Sequence, residues 1–96
     1  MTRDEVLRIL ADHRAELEEH AVKHLSLFGS VARDEAGSAS DVDVLVEFNK
    51  PVGLFALVGL QDYLDELLGR PVDLGTASSL KARLRAKVLK EAVPVI

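Results

Sequence analysis

Apolar positions along the chain recur at two periods, and each period predicts a different element. Val6, Ile9, Leu10, His13 and Leu17 fall three and four apart among charged residues, which predicts one amphipathic helix over about residues 3–21. Thr2 with Glu5 three residues later forms a capping box that starts it. Val22 to Phe28 reads as a first strand, closed by Gly29, whose missing Cβ permits a tight turn and close backbone approach. Ser30 is expected to cap a short helix over about 31–35, and a helix start with free N–H groups is a natural phosphate cradle. After a small polar loop, Val42, Val44, Val46 and Phe48 alternate along a second strand over about 41–48 and look like core. Asn49, Pro51 and Gly53 end it. Leu54, Leu57, Val58, Leu60, Leu64, Leu67 and Leu68 then define a strongly apolar helix ending at Gly69. A third strand over 71–75 turns Val72 and Leu74 one way and Asp73 the other. Ser78 or Ser79 starts a last helix through residue 92, with Leu80, Leu84, Val88 and Leu89 as its apolar stripe.

Ninety-six residues predict one domain over 1–96 with a modest core. That leaves room for one sheet and a few helices and little for a separate substrate-binding domain. The formal charge of −4 argues against direct nucleic-acid binding, which needs clustered Lys and Arg. The absence of Cys removes disulfides, thiolate catalysis and thiolate metal sites. No apolar run is long enough to span a bilayer, and the polar N-terminus lacks a signal-peptide core, so a cytoplasmic protein with no membrane partner is expected. Lys81, Arg83, Arg85, Lys87 and Lys90 make the last helix the basic element, a pattern that a solvated face near a helix C-terminus also produces.

The candidate chemistry lies on the strands. Asp41 and Asp43, two residues apart, point to the same side with Cα atoms roughly 6–7 Å apart, opposite the apolar face. Asp73 adds a third acid on a third apolar strand. Acids are disfavoured in strands, and clustered carboxylates repel unless a cation is present. A divalent metal carrying a phosphate therefore suits them. An EF-hand loop fails because Leu45, Val46 and Val52 stand where it needs an oxygen ligand, Gly and Glu. A Walker A loop fails because Asp34-Glu35-Ala36 follow where Gly-Lys-Ser/Thr should. A glycosidase carboxylate pair needs a sugar cleft for which the chain is too small. His13 and His20 are expected as surface or boundary residues rather than ligands, and Tyr63, the single tyrosine, is expected to pack.

Taken together, Phe28-Gly29-Ser30-Val31-Ala32-Arg33, then Asp41-Val42-Asp43-Val44-Leu45-Val46 with ten residues between Ser30 and Asp41, and Asp73 on a later strand resemble the minimal nucleotidyltransferase (MNT) family of the DNA polymerase beta-like superfamily. The resemblance covers nearly the whole chain, with Asp34 standing where the family commonly has Gly. It implies an α/β (α+β) palm-like fold, a small mixed central sheet with helices on one face. It also implies a mechanism in which Asp41, Asp43 and Asp73 ligate two Mg²⁺ ions and carry the catalysis. Gly29, Ser30 and Arg33 then hold the triphosphate of ATP, with Arg83 and Arg85 as further candidates. Small MNT proteins are often antitoxins of HEPN-type RNase toxins, so the implied activity is transfer of AMP to a toxin tyrosine. An antitoxin that acts by occlusion alone is the alternative. Transfer to a small molecule such as an aminoglycoside is disfavoured, because no second domain binds the drug.

Overall fold

The computed structural model describes residues 2–33, 41–76, 86 and 90–96. In chain order the elements are α1 (Arg3–Asp12), α2 (Arg14–Glu19), β1 (Val22–Phe28), α3 (Gly29–Ala32), β2 (Val42–Phe48), α4 (Leu54–Leu68), β3 (Val72–Thr76) and β4 (Val93–Pro94). They form a four-stranded mixed sheet in the order β3-β2-β1-β4. β2 pairs antiparallel with β1 and parallel with β3, and β4 adds antiparallel to the far side of β1.

Helices and strands close on one apolar cluster. Val6 and Leu10 of α1, Leu17 of α2, and Leu60, Leu64 and Leu68 of α4 meet Leu25, Leu27, Val42, Val44, Val46 and Val72 of the sheet. The expected α/β architecture with helices on one face is therefore observed. Thr2 caps α1 as read, its hydroxyl accepting from Glu5 N–H at 3.2 Å. Gly69 ends α4 in the left-handed conformation at φ 66°.

Three expectations are corrected, and one strand is added to those read. The single N-terminal helix breaks in two at His13, which is half-buried. Its Nδ1 bonds the Ile9 carbonyl at 2.7 Å and its N–H bonds the Leu10 carbonyl, so the chain turns before restarting. A side chain that competes for backbone groups ends a helix in this way. Secondly, Ser30 does not cap. α3 is a single turn that begins at Gly29 with Phe28 as N-cap, because the positive φ of Gly29 starts the turn one residue earlier. Thirdly, the apolar stripe of α4 is narrower than its composition: Leu54, Phe55 and Val58 are 72%, 92% and 46% exposed. The added strand is Val93–Pro94, with Val95 N–H also donating to Leu25 C=O at 2.8 Å.

Register explains one further departure from strict alternation. Val22 pairs with Phe48 but His24 with Glu47, so β1 carries one extra residue. That bulge lets Val22 and Leu25, three apart, both face the core. The expected last helix, from Ser78 or Ser79 through residue 92, falls on residues of which only 86 and 90–92 are described. Lys81, Arg83, Arg85 and Lys87 lie outside the described residues. Among the described residues no helix is long and apolar enough to cross a membrane.

Candidate functional site

The three acids lie at one end of the sheet, on the face opposite the apolar cluster that α1, α2 and α4 cover. β2 starts just after Asp41, which is exposed, and carries Asp43, which is half-buried. In the parallel ladder Asp43 stands directly opposite Asp73 of β3, and in the antiparallel ladder it stands opposite Phe28 of β1. The strand periodicity places Val42, Val44 and Val46 in the core, so Asp41, Asp43 and Asp73 share the other face. Acids far apart in sequence are thus neighbours because β3 lies parallel beside β2.

The electrostatics of the group centre on Asp43. Its carboxyl is pushed above the usual carboxylate range. Burial is the largest cause, followed by the charges of Asp73 and Asp41 and a hydrogen bond with the Asp73 side chain; the Arg33 guanidinium acts in the opposite sense. Two carboxylates this close hold excess negative charge, which a proton or a cation relieves.

The glycine turn abuts this carboxylate. Gly29, at φ 71°, follows the strand position that pairs with Asp43, and a Cβ built there would overlap Asp43 Oδ2. A side chain at position 29 is disfavoured on two grounds: the left-handed backbone strains it, and its Cβ would force the Asp43 carboxylate to move. Ser30 lies half-buried in the same turn. Arg33 follows as C-cap, exposed, with an ion pair to Glu91 at 3.5 Å. Gly29, Arg33, Asp41, Asp43 and Asp73 are therefore brought to one place, with Ser30 in the connecting turn.

Among the described residues, no three acidic or imidazole side chains close around a single ion. An open carboxylate set is still the donor chemistry for Mg²⁺, which keeps several waters and is bound by one or two carboxylates plus substrate phosphates. The unbalanced charge around Asp43 and the glycine cradle beside it fit such an ion. Asp65, another acid near β3, is engaged elsewhere, accepting from Val72 N–H at 2.8 Å.

Two other surface features stand apart from the acids. A groove of about 810 Å³ opens at the opposite end of β2, lined by Phe48, Pro51, Val52, Leu54 and Leu57. A smaller cavity lies between α2 and α4 beside Tyr63, which packs against the core and stacks on His20 with ring centroids 5.0 Å apart. The Tyr63 hydroxyl is shut off from solvent and has no hydrogen-bond partner among the described residues. Burial, with the charges of Glu16 and Glu19, raises its pKa above the ordinary tyrosine value.

The comparisons with known proteins agree with this arrangement. The family model of the nucleotidyltransferase domain matches residues 7–96. The protein adenylyltransferase MntA of Thermococcus cleftensis is 43% identical over 96 residues, covering 99% of this chain and 97% of its own. A solved structure described as a candidate minimal nucleotidyltransferase superposes with a TM-score of 0.84 at 39% identity, covering 98% of this chain and 96% of that one. The same fold, at 19% identity and a TM-score of 0.67, occurs in a complex of a tri-AMPylated Shewanella oneidensis HEPN toxin with its MNT antitoxin; the match covers 94% of this chain and 71% of that one. An acid pair on neighbouring strands, a glycine turn against it and a family match over nearly the whole length lead to one conclusion: this chain belongs to the nucleotidyltransferase family.

Proposed function

We propose that this protein is a Mg²⁺-dependent antitoxin enzyme that transfers AMP from ATP to a tyrosine hydroxyl of a HEPN-type RNase toxin. The observation that carries this reading is the juxtaposition of Asp43 and Asp73 across two parallel strands, with Gly29 packed against the Asp43 carboxylate. The extended likeness to MntA of Thermococcus cleftensis, a protein adenylyltransferase, supports the reaction type. The shared fold of the MNT antitoxin bound to a HEPN toxin supports the kind of partner.

In this reading Asp41, Asp43 and Asp73 hold the divalent ions. When bound, these supply charge neutralisation and Lewis-acid activation of a phosphoryl transfer. The backbone at Gly29 and the hydroxyl of Ser30 orient the triphosphate. Arg33 offsets charge as it develops on the leaving group. Asp73, the more exposed of the facing pair, takes the proton of the acceptor hydroxyl. The acceptor oxygen bonds to the α-phosphorus, the α–β bridge bond breaks, and pyrophosphate leaves. The acceptor lies in another chain: the single tyrosine here, Tyr63, has a buried hydroxyl that is harder than usual to ionise.

The test is to incubate the protein with the product of its adjacent gene, Mg²⁺ and each nucleoside triphosphate, and then measure intact masses of both chains. The expected result is an added AMP on the partner with ATP alone. Label chiefly on Tyr63 of this chain would replace trans-acting transfer with self-modification.

A further inference from the structure

Within the described sheet β3 is an outer strand, and its backbone groups alternate between addressing β2 and addressing the open side. Val42 N–H donates to Pro71 C=O at 3.0 Å, so Pro71 and Asp73 turn their backbone groups toward β2. Val72, between them, turns its N–H and C=O outward, where no strand pairs with it. Two side chains of α4, one turn apart, occupy both groups. Val72 N–H donates to Asp65 Oδ1 at 2.8 Å, and Gln61 Nε2 donates to Val72 C=O. Gln61 Nε2 also donates to Asp65 Oδ1 at 3.2 Å, which ties the two side chains together.

We infer that Asp65 and Gln61 are positioning residues for Asp73: their grip on the Val72 backbone holds β3 in the register that sets Asp73 opposite Asp43. The inference rests on the proposed role of Asp73 as third acid. The physical need is plain. β3 is five residues long and includes Gly75, so the ladder alone holds its register weakly. A slip of one residue would bring Val72 or Leu74 opposite Asp43 and turn Asp73 to the apolar face. Asp65 when ionised only accepts, and Pro71 has no N–H to donate. The carboxylate therefore selects Val72 over the residue before it. Helix α4, which touches no substrate in this reading, would thereby govern the geometry of the reacting centre.

The test compares Asp65→Ala, Asp65→Asn, Asp73→Asn and the double variant Asp65→Ala/Asp73→Asn in transfer of AMP to the partner. Displacements of about 1 Å at a reacting centre cost roughly 100-fold. Asp65→Ala should accordingly lower kcat by about 10- to 100-fold while KM for ATP stays within about threefold, the same split expected of Asp73→Asn. Asp65→Asn keeps an oxygen acceptor for Val72 N–H and should restore most of the rate. The double variant should be no slower than Asp73→Asn, because Asp65 acts through Asp73. Additive losses, a parent-like rate for Asp65→Ala, or an Asp65→Asn as slow as Asp65→Ala would each overturn the inference. Amide exchange of Val72 in the nucleotide-free protein gives a readout free of catalysis. It should speed by about tenfold or more in Asp65→Ala while Leu25 in β1 is unchanged, and unchanged Val72 exchange overturns the inference. If Asp65→Ala fails to fold, Gln61→Ala takes its place in both measurements. A full transfer rate in Asp73→Asn would instead overturn the third-acid reading, leaving the amide exchange to decide the grip on Val72.

Discussion

Asp43 is held in a position that costs the folded protein stability. Its carboxyl is half-buried, faces Asp73 and Asp41, and has its pKa raised above 3.8. An acid whose folded-state pKa exceeds its unfolded value binds its proton more tightly when folded. Its favourable contribution is complete below pH 3.8 and is lost as pH rises through the raised pKa, so at neutral pH the charge is a net burden. Asp43→Asn removes that charge at nearly constant shape. In chelator-treated protein this variant should melt above the parent at pH 7, with the gap closing as pH falls toward 4, while AMP transfer is abolished. A melting temperature equal to or below the parent's at pH 7 would contradict the strain assigned to this carboxylate. Added Mg²⁺ should raise the parent's melting temperature more than the variant's, since a ligand that binds only the folded state stabilises it. A site tuned for function at the expense of stability is a common outcome.

Elements show the same tension between local preference and tertiary demand. Ala21 closes the N-terminal helical segment at φ 64°, the one described non-glycine residue with positive φ. It is held there by its N–H bond to Glu18 C=O at 3.0 Å and by Asn49 N–H donating to its carbonyl at 2.9 Å. An L-residue in the left-handed region costs roughly 1–2 kcal/mol, and glycine gives back part of that through greater freedom in the unfolded chain. Ala21→Gly should therefore stabilise the protein by about 0.5–1 kcal/mol and raise Tm by about 2–8 °C for a domain of this size. A fall in Tm would mean that Ala21 makes compensating contacts in this conformation. The exposed residues of α4 teach a related lesson. Leu54 and Val58 fit the helical apolar pattern as well as Leu60 and Leu64 do, yet with Phe55 they face outward. Periodicity reports which residues share a stripe but not how far along the helix the core extends.

At the scale of the whole molecule, a charge of −4 suits the proposed pairing with a basic, RNA-binding toxin. Catalysis and occlusion make different demands on the site. Because the acids occupy one end of one sheet face, a partner interface of ordinary size must reach well beyond them. The double variant Asp41→Asn/Asp43→Asn should thus lose AMP transfer while its Kd for the toxin stays within about tenfold of the parent's. If cells carrying that variant remain fully protected from the toxin, occlusion rather than transfer is the operative mechanism.

Local chemistry in the sequence sufficed for the strand Val22–Phe28, the Thr2 cap, the Gly69 terminus and the acid pair Asp41 and Asp43 on one strand face. Each rests on contacts only a few residues apart, where alternation and propensity decide the outcome. The family, and with it the mixed sheet, was legible because Gly29-Ser30, Asp41-Val42-Asp43 and Asp73 occur in order at suitable spacings. Other features depended on residues distant in sequence. Asp73 meets Asp43 only because β3 lies parallel beside β2. The close fit of Gly29 against the site emerges only when the Asp43 carboxylate is seen to fill the space of its missing Cβ. The bulge that brings Val22 and Leu25 to one face and the pairing of Val93 with Leu27 answer to packing around a shared core, which no local pattern encodes. No local pattern singles out Asp65 among the acids of its helix. Its grip on Val72 exists only because tertiary packing sets α4 against the open side of β3, where an unpaired backbone N–H requires an acceptor.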